Sequence, residues 1–228
     1  MFLMMGEAMK PMLILLLLVF CTMYLPMSVC QLTVGFYDQL CPSAESVVAD
    51  VVAAATSSNS RSPAQLLRLH FHDCFVQGCD GSILINNGPN SERSAFSHQG
   101  LAGFDVIDQA KERLEAACPG VVSCSDILAL AAREAVALSN GPRYQVPTGR
   151  RDGFSSDQSM AANMPDVDDS IEALKVKFQN QGLNDQDLVL LSGTLSRSLS
   201  SYSLSLFSPR TLIMTEIRGG RLQFHLTC

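Results

Sequence analysis

The stretch Arg68-Leu69-His70-Phe71-His72-Asp73-Cys74-Phe75-Val76-Gln77-Gly78-Cys79-Asp80-Gly81-Ser82 decides how the rest of the chain is read. As a helix over 65–75, it sets Arg68 and His72 four residues apart and Phe71 three from Arg68. A cation, an imidazole and an aromatic ring then share one face. Such a face suits the splitting of an O–O bond, which needs a base to take one proton and a fixed positive charge to stabilise the departing oxygen. His72 and Arg68 are the candidates for those two roles. Just downstream, Asp73, Asp80 and the Ser82 hydroxyl, with main-chain oxygens near Val76 and Gly78, offer the hard oxygen donors that calcium takes.

A zinc site is the competing reading of the same residues, through His70, His72, Cys74 and Cys79. Alternate residues on a helix point to nearly opposite sides, so the two histidines do not converge on one ion. His70 by itself reads as a hydrogen-bonded structural histidine.

Working outward, the chain has 228 residues, of which 47% are hydrophobic and 17% charged. That composition suits one or two globular domains with a core of their own. The formal charge of -6 argues against nucleic acid and against anionic membrane surfaces as partners. Eight cysteines point to an oxidising compartment. Residues 1–30 hold Lys10 and then the apolar run from Met12 to Phe20, the pattern of a secretory signal, with a signal anchor as its rival. Cleavage near Cys30 leaves six cysteines, which sequence alone can pair in about fifteen ways. No stable membrane association is expected after cleavage.

Periodicity predicts helices and almost no strands, an all-α chain. Helices are expected over 44–56, 65–75, 105–117, 125–138, 170–181 and 185–191. Pro63 sits where it can open the second of them. Residues 143–166, with their Gly, Pro and Ser, read as a long connection. The apolar stripes of these helices read as core, and the charges between them as solvated faces.

The opening stretch resembles the haem-facing motif of the secreted plant (class III) haem peroxidases. Phe36-Tyr37-Asp38 with Cys41-Pro42 is similar to their mature N-terminal segment. Residues 122–133, VSCSDILALAAR, and 149–153, GRRDG, match as well, so the likeness runs in order from about residue 31 to residue 193. The resemblance implies a haem-peroxidase-type helical fold with its distal half intact, haem b and calcium as cofactors, and His72 as distal acid/base beside Arg68. It implies Phe71 and Pro165 near the aromatic donor. Asp73, Val76, Gly78, Asp80 and Ser82 fall on the family's distal calcium ligands. It also implies the disulfides Cys41–Cys118 and Cys74–Cys79, and leaves the pairing of Cys124 and Cys228 open. The expected reaction is oxidation of phenolic donors by hydrogen peroxide, removing peroxide in the response to oxidative stress. The expected place is outside the cell, in the wall or apoplast, or in the vacuole.

Two departures stand out. Six residues after Glu92, where family members commonly carry an asparagine that holds the distal imidazole, this chain has His98; an exposed loop histidine is the bland reading of it. More consequential is Leu191-Ser192-Gly193-Thr194-Leu195-Ser196-Arg197: the family continues past Ser-Gly into a His-Thr pair whose histidine ligates haem iron, and this stretch has no histidine. The other histidines are His70, His72, His98 and His225. His225 is a poor candidate for an axial ligand so near the C-terminus. Residues 194–228 match nothing in the family pattern, as after a reading-frame shift or a misplaced exon boundary, with an evolved short form as the second reading. The alternative function is therefore a non-catalytic, peroxidase-like fragment braced by calcium and disulfides.

Overall fold

A computed structural model describes residues 32–198, with side chains to residue 193. The expected signal, residues 1–30, lies outside them, as do His225 and Cys228. Among the described residues six α-helices follow one another: α1 (Ala44–Ser58), α2 (Ser62–Gln77), α3 (Phe104–Ala117), α4 (Cys124–Leu138), α5 (Ile171–Asn180) and α6 (Asp185–Ser198). Among the described residues the extended pairing is a single bridge between Thr33 and Thr148. The all-α expectation holds, and no described helix is long and apolar enough to cross a membrane.

Local chemistry explains where these helices begin and end. Pro63 lies in the first turn of α2, where its missing N–H costs nothing. The helix stops at Gly78, whose φ of 99° lets the chain turn back toward Asp73. Ser123 caps α4 by accepting from the Asp126 amide at 3.2 Å, and Ser170 does the same for Ala173 at α5. Asp152 adds a carboxylate at the start of α4, accepting from the Cys124 and Ser125 amides at 2.9 and 2.8 Å.

Burial then sets the layers. Helix α4 is buried along almost its whole length, and its alanines let α1, α2 and α3 pack around it. Val48, Val51 and Val52 of α1, Val106, Ile107 and Leu114 of α3, and Leu66 and Leu69 of α2 close this main core. A second, smaller core joins Phe75 of α2 to Phe178 of α5, Leu188 and Leu191 of α6, and Met164. Helix α2 thus belongs to both cores, which is why it is buried on several sides. Arg68 and Phe71 stay partly exposed on it.

Two disulfides tie this frame. Cys41–Cys118 joins the N-terminal segment to the end of α3, and Cys74–Cys79 closes the turn after α2, both as the family resemblance implied. Cys124 is disulfide-bonded as well.

The helix bounds differ from the expected ones mainly at the ends. Helix α2 runs three residues further at its start and two at its end, because Pro63 begins it and Gly78 stops it. Helix α6 continues to Ser198. The expected connection over 143–166 contains the short 3-10 segment Gln158–Asn163. Further 3-10 turns lie at Ser82–Leu84, Glu92–Ser94 and Phe96–His98. Three-residue turns carry too little periodicity to be read from a pattern.

Candidate functional site

The functional side chains are set by one helix and by the turns folded back onto it. His72, 6% exposed, and Arg68 lie one turn apart on α2. The Arg68 guanidinium donates to the carbonyls of Gly100 and Gln99 at 3.2 and 3.1 Å, so the segment after His98 orients it. The Phe71 ring stands edge-on to His72 at 5.9 Å and leans on Phe75 at 5.3 Å. Cation, imidazole and aromatic ring therefore share a face, as the spacing predicts.

The His72 imidazole stays neutral at ordinary pH. Burial, and then the nearby His98 and Arg68, push its pKa down to about 3. Its Nδ1 is buried and has no hydrogen-bond partner among the described residues. His98 is not an exposed loop histidine: it is 2% exposed, and its ring stands 4.9 Å from that of His72, at 76° to it. His98 Nδ1 lies 3.0 Å from the Glu92 carbonyl oxygen. Burial and Arg68 hold this second imidazole below its ordinary pKa, against the contact with that carbonyl.

The carboxylates gather on the far side of the same turn. Asp73 is completely buried and accepts from the Gly81 amide at 3.1 Å and the Ile83 amide at 3.5 Å. Asp80 accepts from the Ser82 amide at 3.0 Å, while the Gly78 carbonyl takes the Asp80 amide at 2.9 Å. The Ser82 hydroxyl donates to Glu92 at 2.9 Å. Burial raises all three acids, with the Asp80 charge adding to Asp73 and Glu92, and Glu92 reaches about 7. These acids and the Ser82 hydroxyl are oxygen donors of the type a divalent cation takes, although Asp73, Asp80 and Glu92 do not all come within common ligand distance of one another.

Sequence reasoning used Glu92 only to locate His98 and gave it no part in the site. A lone acid inside a polar run carries no signal until Ser82 and His98 fold onto it. Arg93 holds that contact in place by donating to the Ile83 and Leu84 carbonyls at 3.1 and 2.6 Å. Pro165 lies two residues beyond the 3-10 segment Gln158–Asn163, which packs against α2 and against the turns bearing Glu92 and His98.

The zinc reading does not stand. His70 comes close to Cys74 and Cys79 while His72 diverges, and the disulfide between the two cysteines removes both thiolates. His70 is a buried structural group, 3.6 Å from the Cys74 sulfur, its pKa pushed down to about 3 by burial and by Arg150.

On the His72 side the residues fit haem: a neutral imidazole, a guanidinium and a partly exposed phenylalanine on one helix face, with the carboxylates kept behind it. An axial imidazole is not found among the described residues, since His70 is sealed against the disulfide and the segment after Gly193 continues with Thr194.

An all-helical frame presenting this face from its central pair of helices is that of a peroxidase-type domain. The model of the family described as peroxidase matches residues 48–216, and the chain belongs to that family. It is 61% identical over 171 residues to "Peroxidase 43" of Arabidopsis thaliana, covering 75% of this chain and 52% of that one. With "Peroxidase 13" of the same plant it shares 61% over 166 residues, 72% of this chain and 52% of the relative. With "Peroxidase N1" of Nicotiana tabacum it shares 54% over 160 residues, 70% of this chain and 48% of the relative. The chain spans about half the length of the curated relatives it matches. Among solved structures, the TL29 protein of Arabidopsis thaliana superposes with a TM-score of 0.54 at 19% identity, over 70% of this chain and 76% of that one, a likeness of fold.

Proposed function

We propose that this chain supplies the peroxide-activating side of a secreted haem peroxidase that oxidises small phenolic donors with hydrogen peroxide. The observation that carries the reading is the face of α2. His72 is held neutral there beside the Arg68 cation, with an aromatic ring next to it and no carboxylate in hydrogen-bond contact.

His72 takes one proton from hydrogen peroxide and returns it to the outer oxygen, which leaves as water. Arg68 stabilises the negative charge that grows on that oxygen while the O–O bond breaks. Haem b, when bound, supplies the iron that binds the peroxide and holds the two oxidising equivalents released. Two phenolic donors then give up one electron and one proton each, so that one peroxide and two phenols become two waters and two phenoxyl radicals. Phe71 and Pro165 flank the donor. The side chains of Asp73, Asp80 and Ser82, with the Val76 and Gly78 carbonyls, would hold a calcium ion, which would brace the end of the helix that carries His72. A secreted setting, in the cell wall, apoplast or vacuole, agrees with the disulfides.

The second reading, a non-catalytic fragment, is compatible with one observation: residues 191–197 hold no histidine after Ser192-Gly193. A titration of the purified chain with hemin and calcium, followed by hydrogen peroxide and a phenol, separates the two. A saturable haem spectrum with phenol oxidation that His72→Ala abolishes, and that Arg68→Leu cuts by about 10²–10³, supports the peroxidase reading. Non-specific hemin association without turnover establishes the fragment reading.

A further inference from the structure

We propose that Asn87-Gly88 is a site of spontaneous deamidation in the folded chain, and that the change releases the connection bearing Ser156 from the turn bearing Glu92. The chemistry belongs to asparagine followed by glycine. The glycine nitrogen has no neighbouring Cβ to hinder its approach to the asparagine Cγ. It bonds to Cγ as the Cγ–Nδ2 bond breaks and ammonia leaves, closing a succinimide ring. Water then opens the ring at either carbonyl, giving aspartate or isoaspartate. Nothing is oxidised or reduced, and water is the one reagent consumed.

Two stretches of the chain read Asn-Gly-Pro, at residues 87–89 and 140–142, and both asparagines are exposed. Local sequence therefore does not distinguish them, but the fold does. Asn140 and Gly141 close the end of α4. Asn140 takes the left-handed conformation, with φ 63°, and donates its amide to the Ala137 carbonyl at 3.2 Å, while the Gly141 amide donates to the Val136 carbonyl at 2.9 Å. This paired ending satisfies the last carbonyls of a helix. The attacking nitrogen is thus already bonded. A Cβ on Gly141 would lie 2.5 Å from Val136 Cγ1, so the backbone there has no room to swing.

At Gly88 the reverse holds. Its amide donates to no group among the described residues, and an added Cβ would meet nothing within 4 Å. Asn87 is tied by its side chain instead, with Nδ2 donating to the Ser156 carbonyl at 3.0 Å. That is the bond the reaction removes, because a carboxylate has no hydrogen to donate and repels the carbonyl it faces. Ser156 is 4% exposed, so its carbonyl loses a donor where water has little access. The loss reaches the site directly. The Ser156 hydroxyl accepts from the Glu92 amide at 3.0 Å, and the Glu92 carboxylate accepts from the Ser82 hydroxyl at 2.9 Å.

The inference stands apart from the peroxidase reading, and its test needs neither hemin nor turnover. The full chain is incubated folded and, in parallel, in urea, then digested and mapped by mass spectrometry together with an isoaspartate assay. Relative to its own rate in urea, Asn140 should be slowed in the folded chain about tenfold more than Asn87, the factor one hydrogen bond on the attacking amide is worth. Isoaspartate should appear at position 87 and be absent there from Asn87→Gln. Asn87→Asp, which installs one product directly, should lower the thermal midpoint by about 2–6 °C. Equal slowing at the two sites, greater slowing at Asn87, or reaction at Asn87 in urea alone overturns the site. A thermal midpoint for Asn87→Asp equal to that of the wild type overturns its link to Ser156.

Discussion

Replacing Asp126 by alanine is expected to destabilise the chain by about 4 kcal/mol, because three segments meet on that one carboxylate. Asp126 is fully buried in the first turn of α4. One oxygen accepts from the Tyr37 hydroxyl at 2.6 Å and from the Gly149 and Arg150 amides at 2.7 and 3.1 Å. The other takes the Arg150 guanidinium at 2.6 Å. Removing it leaves the Arg150 charge, whose side chain is 4% exposed, without its counter-charge. Breaking a buried pair from one side costs roughly 3–5 kcal/mol. Tyr37→Phe deletes a single hydrogen bond to a charged acceptor and is expected to cost about 1.5–3 kcal/mol. Asp126→Leu combined with Arg150→Met removes both charges and recovers part of the loss. Urea unfolding followed by circular dichroism measures these differences. The thermal midpoint of Asp126→Ala should fall by roughly 8–16 °C. The reasoning is refuted if Asp126→Ala costs no more than Tyr37→Phe, since the carboxylate would then not be where the segments are joined.

The two disulfides should differ in weight by loop length. The chain-entropy estimate is about 4.5 kcal/mol for Cys41–Cys118, separated by 77 residues, and about 2.2 kcal/mol for Cys74–Cys79, separated by 5. Paired serine variants compared by urea unfolding test the order, and a larger loss at Cys74–Cys79 contradicts it. His70 is lowered from its ordinary 6.5 to about 3 by burial. The unfolded chain takes up a proton that the folded chain refuses, so this contribution is whole above pH 6.5 and is lost as pH falls from 6.5 toward 3. His70→Gln should flatten that limb by on the order of 4 kcal/mol relative to its own value at neutral pH; parallel limbs would exclude His70 as the source. Millimolar calcium should raise the thermal midpoint of the wild-type chain and not that of Asp73→Asn. An equal rise in both would show that the ion binds elsewhere.

Much of the fold is legible in local pattern. The stripes of Val48, Val51 and Val52, or of Val106, Ile107 and Leu114, repeat at the helical period because a helix must turn one face to the core. The caps at Ser123 and Ser170 follow from the orphan amides of any helix start. The polar joints are not legible in this way. Asp152 serves the amides of Cys124 and Ser125 from 27 or more residues away, and Ser82 meets Glu92 across two turns with no periodicity of their own.

The amino-acid sequence by itself determined that Arg68, Phe71 and His72 share a face, since residues three and four apart on a helix cannot do otherwise, and it placed the oxygen donors Asp73, Asp80 and Ser82 in the ten residues after His72. Tertiary structure alone decided what surrounds the face. His98 is buried against His72 from 26 positions away, and the carbonyls of Gln99 and Gly100 take the Arg68 guanidinium. The physical reason is the range of the forces involved. Helix geometry is enforced within four residues by the backbone. The charge of His72 and the direction of Arg68 depend on burial and on polar groups that meet only after both hydrophobic cores have closed around α2.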